Sequence, residues 1–135
     1  VDAPPPAVAA LLRREDGRYL FIRRAEGIAA AGYWSPVTGR IEPGESLERA
    51  VEREVREEVG LEVRAIREVH RCPTSNGAWT LVWFEVEPAV PLSPADPVSF
   101  RSDEVAETRW VTPAEVESLS PLFDATGAFF RTLVR

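Results

Sequence analysis

The stretch from Gly39 to Leu61 constrains this chain more than any other: Gly-Arg-Ile-Glu-Pro-Gly-Glu-Ser-Leu-Glu-Arg-Ala-Val-Glu-Arg-Glu-Val-Arg-Glu-Glu-Val-Gly-Leu. Its second half reads as a helix. Ser46 can cap the N-terminus by accepting from a free backbone N–H of the first turn, and Gly60 suits the position just past the C-terminus. Between them Leu47, Ala50, Val51, Val55 and Val59 recur at three- and four-residue spacing, which makes one apolar face. Glu54, Glu57 and Glu58 then fall within about 100° of one another on the flank of that face. Carboxylates so placed repel one another, and desolvation beside a buried face adds to the cost of ionising them. A bound divalent cation removes both penalties. The cluster contains no His or Cys, so its hard oxygen donors favour Mg²⁺ or Mn²⁺ over zinc.

The same stretch resembles the Nudix box, Gly-x5-Glu-x7-Arg-Glu-U-x-Glu-Glu-x-Gly-U with U aliphatic. Gly39, Glu45, Arg53, Glu54, Glu57, Glu58 and Gly60 fill the fixed positions, with Val55 and Leu61 as the aliphatics. Matching them all by chance has a likelihood of ~10⁻⁵ over a chain of this composition. The resemblance implies an α/β fold, an α/β/α sandwich around a mixed β-sheet with the box as loop-helix-loop. It implies hydrolysis of a nucleoside diphosphate linked to another moiety, by water attacking one phosphorus, with Mg²⁺ or Mn²⁺ as cofactor. Carried over residue by residue, Glu54, Glu57 and Glu58 ligate the metal, Glu57 being the most central, and Gly39 offers its backbone carbonyl. Arg53 orients carboxylates, and Glu45 braces the loop against Arg53 or a backbone N–H. An acidic residue from a late loop joins the metal or acts as base, which selects Glu104, with Asp103 as the alternative. General-base duty falls to one of the box glutamates or to Glu104. Arg40, Tyr33 and Phe84 are the expected substrate contacts.

With 135 residues the chain is expected to form one domain, residues 1–135. A formal net charge of −6 argues against a broad nucleic-acid-binding surface, whose footprint would be basic. It leaves room for a small nucleotide substrate, because a bound cation reverses the sign locally. All sixteen basic residues are Arg, which excludes Schiff-base chemistry and a lysine phosphate clamp. Cys72 is the single cysteine, so there is neither an internal disulfide nor a cysteine zinc cluster, and it is read as a core or rim residue. No apolar run is long enough to span a membrane, and the Pro-rich start does not read as a signal peptide. A cytoplasmic monomer or homodimer is expected.

In chain order, Pro4-Pro5-Pro6 is an extended lead-in. Ala7–Arg13 and Arg18–Arg23 read as two strands paired through the Asp16-Gly17 turn. Arg23 and Arg24 are either solvated charge or phosphate contacts. Leu61 to about Cys72 alternates as a half-exposed strand. Trp79–Glu87 is the strongest strand, with Trp79, Leu81 and Trp83 on one face and Thr80, Val82, Phe84 and Val86 on the other. Pro88 to Pro97 is a long loop. Glu107–Val111 reads as a short strand, and Thr112-Pro113-Ala114-Glu115 as a capping box opening a short helix. Asp124 is a candidate cap for a last helix that packs Phe129 and Leu133.

Substrate identity is less legible. Family members acting on ADP-ribose carry a proline, and those acting on dinucleoside polyphosphates a tyrosine, a short way beyond the box. Asn76 to Trp79 occupy that region here, and Pro73 comes early. The longer signature of NADH-cleaving members is also unmatched. Nucleoside triphosphates and their modified forms are thereby favoured. Two alternatives are a catalytically silent Nudix-fold nucleotide-binding or regulatory module, and an interaction domain that uses the acidic helix for docking.

Overall fold

The computed structural model describes residues 4–134. Its elements, in order, are β1 (Pro6–Leu12), β2 (Tyr19–Arg24), β3 (Trp34–Ser35), β4 (Val37–Arg40), α1 (Leu47–Val59), β5 (Val63–Pro73), β6 (Thr80–Pro88), β7 (Val105–Val111), a 3-10 turn (Pro113–Ser118) and α2 (Asp124–Arg131). The strands form a four-stranded sheet in the order β4-β1-β6-β5 and a three-stranded sheet in the order β3-β2-β7. The larger sheet is mixed, because β1 runs parallel to β6 while the remaining pairs are antiparallel.

The alternation along β1 decides what lies on each side of that sheet. Val8, Ala10 and Leu12 point into a core shared with Ala50, Val51, Val55 and Val59 of α1, and with Val82, Phe84 and Val86 of β6. Ala9 and Leu11 point the other way, into a second core with Trp83 and with Phe130 of α2. Two apolar faces on one strand require a helical layer over each, which gives the α/β/α sandwich. Cys72 is half-buried against the second core.

Helix α1 begins and ends where its sequence directs. The Ser46 hydroxyl accepts from the Arg49 N–H at 3.1 Å, and Gly60 takes φ +68°, a left-handed conformation in which its N–H still reaches the Arg56 carbonyl. The turn after β7 carries the full capping box between Thr112 and Glu115. It develops as a 3-10 turn of six residues rather than an α-helix.

Two expectations are corrected. The Asp16-Gly17 turn forms, with the Arg14 N–H donating to the Arg18 carbonyl at 2.8 Å, but among the described residues a single bridge, between Arg13 just past β1 and Tyr19, is all that pairs the two segments, and β1 and β2 enter different sheets. Both edges of β1 are taken by β4 and β6, so β2 finds its partners in β3 and β7. Asp124 is the first residue of α2 instead of its cap; Phe123 holds the cap position, and no side-chain hydrogen bond closes it.

Candidate active site

The acidic end of α1 meets two loops. Oxygens of Glu54, Glu58 and Glu104 converge so that one from each lies within 4.8 Å of the others. Glu104 arrives from the segment before β7, which is tied down at both ends. The Arg101 N–H donates to the Glu58 carbonyl at 3.0 Å, and the Ala25 N–H donates to the Glu104 carbonyl at 3.0 Å. Asp103 takes no part, because its carboxylate is paired with Arg101 at 2.8 Å on the exposed side of the loop.

Glu58 is 4% exposed, and its Oε2 has no hydrogen-bond partner. Burial is the main cause that raises its pKa far above the carboxylate range; a hydrogen bond with Glu54 and the charges of Glu54 and Glu104 add to it, while Arg24 opposes it. An orphaned buried carboxylate oxygen facing two more carboxylates is a site that is electrostatically incomplete without a cation. Its donors are all oxygen, which suits a hard divalent ion.

Gly39 of β4 adds a steric condition. A Cβ built there would overlap the Glu54 carboxyl, so glycine is what lets that carboxyl lie against the β4 backbone. The position is therefore fixed by a close approach rather than by backbone dihedrals.

Arg53 organises the rest of the box. Its Nε and one terminal nitrogen both donate to Glu45, at 2.8 and 2.9 Å, in a bidentate pair. The other terminal nitrogen donates to Glu54 at 2.7 Å and to Glu57 at 3.1 Å, while the one bonded to Glu45 also donates to the Arg40 carbonyl at 2.9 Å. Glu45 also accepts the Glu42 N–H at 3.0 Å, which closes the loop before the helix. These bonds hold the Glu45 carboxyl down at about 2. Glu57, expected to be the most central of the helix carboxylates, stands apart from the convergent three. Its exposed side chain is drawn back one turn by Arg53, whose remaining hydrogen bonds are directed to the same rim.

A cleft of about 610 Å³ opens from this cluster across the second face of the larger sheet. Arg24, Arg40, Trp79, Leu81 and Trp83 line it along the strands, and Phe123 and Thr126 close it from the α2 side. The Arg40 guanidinium stacks 4.8 Å from the Trp79 ring. Arg24 donates its Nε to the Ala29 carbonyl at 2.7 Å and, of the two arginines ending β2, is the one that reaches the cleft. Arg23 instead pairs with Glu107 at 3.2 Å.

The expected substrate contacts separate. Arg40 lines the cleft. Phe84 does not: it is 2% exposed in the core beneath α1, on the opposite face of β6 from the cleft. Tyr33 lies behind the wall, stacked on Phe123 with ring centroids 4.5 Å apart. Trp79, Leu81 and Trp83 hold the positions expected of Phe84. The two-residue period defines both faces of β6, but both are apolar, so nothing local marks which one meets the cleft. Phe123 and Thr126 gave no signal, since only the docking of α2 brings them to the sheet.

Comparison with known proteins agrees with this geometry. A family model described as NUDIX domain matches residues 3–133. The chain is 31% identical over 124 residues to the NAD-capped RNA hydrolase NudC of Deinococcus radiodurans, covering 90% of this chain and 42% of that protein. It thus spans less than half the length of that relative. It is 34% identical to the CTP pyrophosphohydrolase of Escherichia coli, over 66% of this chain and 83% of that one. Among solved structures, the MutT protein of Methanosarcina mazei superposes with a TM-score of 0.79 at 26% identity, covering 98% of this chain and 94% of the other.

Proposed function

The chain belongs to the Nudix family, and from that premise we propose that it hydrolyses pyrophosphate bonds, as a Mg²⁺-dependent pyrophosphohydrolase of nucleoside triphosphates or their modified forms. The observation that carries this reading is the convergence of Glu54, Glu58 and Glu104 at one end of a cleft that continues to Trp79 and Trp83. Glu54, Glu58 and Glu104 would hold the cation, with the Gly39 backbone beside them and Glu57 as the outer carboxylate of the rim. Bound there, a divalent ion supplies Lewis acidity that offsets the diphosphate's negative charge and activates water.

The chain's own groups supply the rest. Arg24 and Arg40 present guanidinium groups along the cleft, suited to phosphate oxygens. Arg53 and Glu45 position the helix carboxylates and do not touch substrate. Glu104, carried on a loop rather than on α1, accepts the proton of the attacking water as an oxygen–phosphorus bond forms and the bridging phosphoanhydride bond breaks. Among the described residues no helix is long and apolar enough to cross a membrane.

A hydrolysis panel tests the reading, run with Mg²⁺ and with products identified by mass. Canonical and oxidised nucleoside triphosphates should turn over, and Glu58→Gln should abolish the activity. Exclusive cleavage of NADH, ADP-ribose or dinucleoside polyphosphates would replace the substrate class. Nucleotide binding without turnover would move the protein to the silent module.

A further inference from the structure

The hairpin that joins β5 to β6 closes the cleft at the end away from the carboxylates. Arg40 of β4 pairs with Ala7 of β1, Ala7 with Leu81 of β6, and Leu81 with Cys72 of β5, so the four share one row across the sheet. Arg40 and the half-buried Leu81 line the cleft along that row, and Thr74 and Asn76 of the hairpin line it beyond. Three inter-strand steps, about 15 Å, separate β4 from β5. The Glu54 carboxyl lies against β4 at Gly39. With its phosphates held at the carboxylates, a nucleotide extended along the cleft brings its base to the hairpin.

Asn76 is exposed there, and it is the only carboxamide in the chain, which has no other Asn and no Gln. Its Oδ1 accepts the Ala78 N–H at 3.0 Å and the Thr74 hydroxyl at 2.9 Å. A backbone N–H can only donate, so the atom it meets is the carbonyl oxygen, and that fixes which way the amide points. The oxygen is committed to the hairpin. The amide nitrogen is turned away from Ala78 and bonds to no described residue. Aspartate would serve this turn as well, because the turn uses only the oxygen. The NH₂ group is what asparagine adds.

We propose that Asn76 selects the nucleobase, its amide N–H groups donating to a carbonyl oxygen on the base edge. The inference rests on the nucleotide reading of the cleft given above and adds the group that chooses among bases. A free carboxamide suits adenine, giving one N–H to a ring nitrogen and accepting from the amino group. Asn76 can only give. It meets the amino group that flanks N1 and N7 of adenine donor to donor, whereas guanine and uracil present a carbonyl oxygen. Trp79, three residues on, is half-buried, with the Arg40 guanidinium stacked 4.8 Å from its ring. A ring face takes any base alike, so Trp79 holds the base and Asn76 chooses it.

The test compares GTP, UTP and ATP as substrates of the Mg²⁺-loaded protein, with inorganic triphosphate as a competitor that reports on the phosphate end alone. The wild-type protein should favour GTP or UTP over ATP by about tenfold in kcat/KM, chiefly through KM. Asn76→Asp keeps the oxygen that the hairpin uses and removes the donors, so it should bring the preferred nucleotide down to the level of ATP. Its added charge acts on every nucleotide and on triphosphate alike, and the ratio between bases carries the result. Equal treatment of the bases by the wild-type protein, a preference for ATP, or a preference that survives Asn76→Asp would overturn the assignment and leave the hydrolase intact. No turnover of any nucleoside triphosphate would overturn the functional reading and this inference with it. If Asn76→Asp does not fold, Asn76→Gly, which suits a turn and has no donor, takes its place.

Discussion

Gly39 and Glu54 claim the same space: the carboxyl of Glu54 lies where a side chain on Gly39 would begin. The two residues come from β4 and α1, and their contact joins the sheet edge to the acidic end of the helix. Gly39→Ala should therefore push Glu54 out of the convergent cluster while leaving the fold in place. Mn²⁺ affinity, measured by titration calorimetry, should weaken by about 10–100-fold. Unchanged affinity would mean that Glu54 does not need this position to bind the ion.

Arg53 and Glu45 form the brace behind the site, each with a side chain only 13% exposed. Lysine cannot reproduce the planar fork. Arg53→Lys should cost about 2–3 kcal/mol of stability and also lower activity, by freeing Glu54 and Glu57. Urea denaturation with an intact m-value would measure the first effect separately from the second.

Acid should act through the same pair. The folded-state pKa of Glu45 is about 2 against an ordinary 4.5, because the Arg53 fork and the Glu42 N–H bond its ionised form. The unfolded chain therefore takes up the proton first as pH falls. The stabilisation is complete above 4.5 and is lost on the way down to about 2. Glu45→Gln should flatten that part of the stability curve; melting temperatures from pH 5 to 2 would show it.

Glu58 has the opposite sign. Its folded pKa is raised by burial and by Glu54, so above 4.5 the unfolded chain ionises while the folded protein keeps its proton. The metal-free protein should lose stability as pH rises from 4.5 toward that raised value, and Glu58→Gln should be the more stable form at neutral pH. Cation binding needs the carboxylate, so Mg²⁺ should release about one proton at pH 7. Calorimetry in buffers of different ionisation enthalpy counts that proton; a value near zero would show Glu58 already ionised.

Trp79 and Phe84 should separate function from stability. Phe84→Ala removes a ring buried against α1 and should cost about 3–5 kcal/mol. Trp79→Ala removes a half-buried ring at the cleft, so KM should rise while stability changes by less than about 1 kcal/mol. The reverse pattern would return Phe84 to the substrate side.

How much the sequence determined follows from the range of each signal. Helix α1, its Ser46 cap, its Gly60 end and its acidic flank are set by residues within a few positions of one another, and the structure has them where the pattern puts them. The alternation of β6 likewise defined two faces before any partner was known. The tertiary structure alone decided what met those faces. It sent β2 to a second sheet, because β1 was already paired on both edges. It turned Phe84 inward and Trp83 to the cleft, because α1 and α2 cover opposite faces of the larger sheet. It brought Glu104 to Glu58 from 46 positions away through backbone bonds at Arg101 and Ala25, and drew Glu57 back to Arg53. Local pattern fixes which side chains share a face; only packing between distant segments fixes what that face touches.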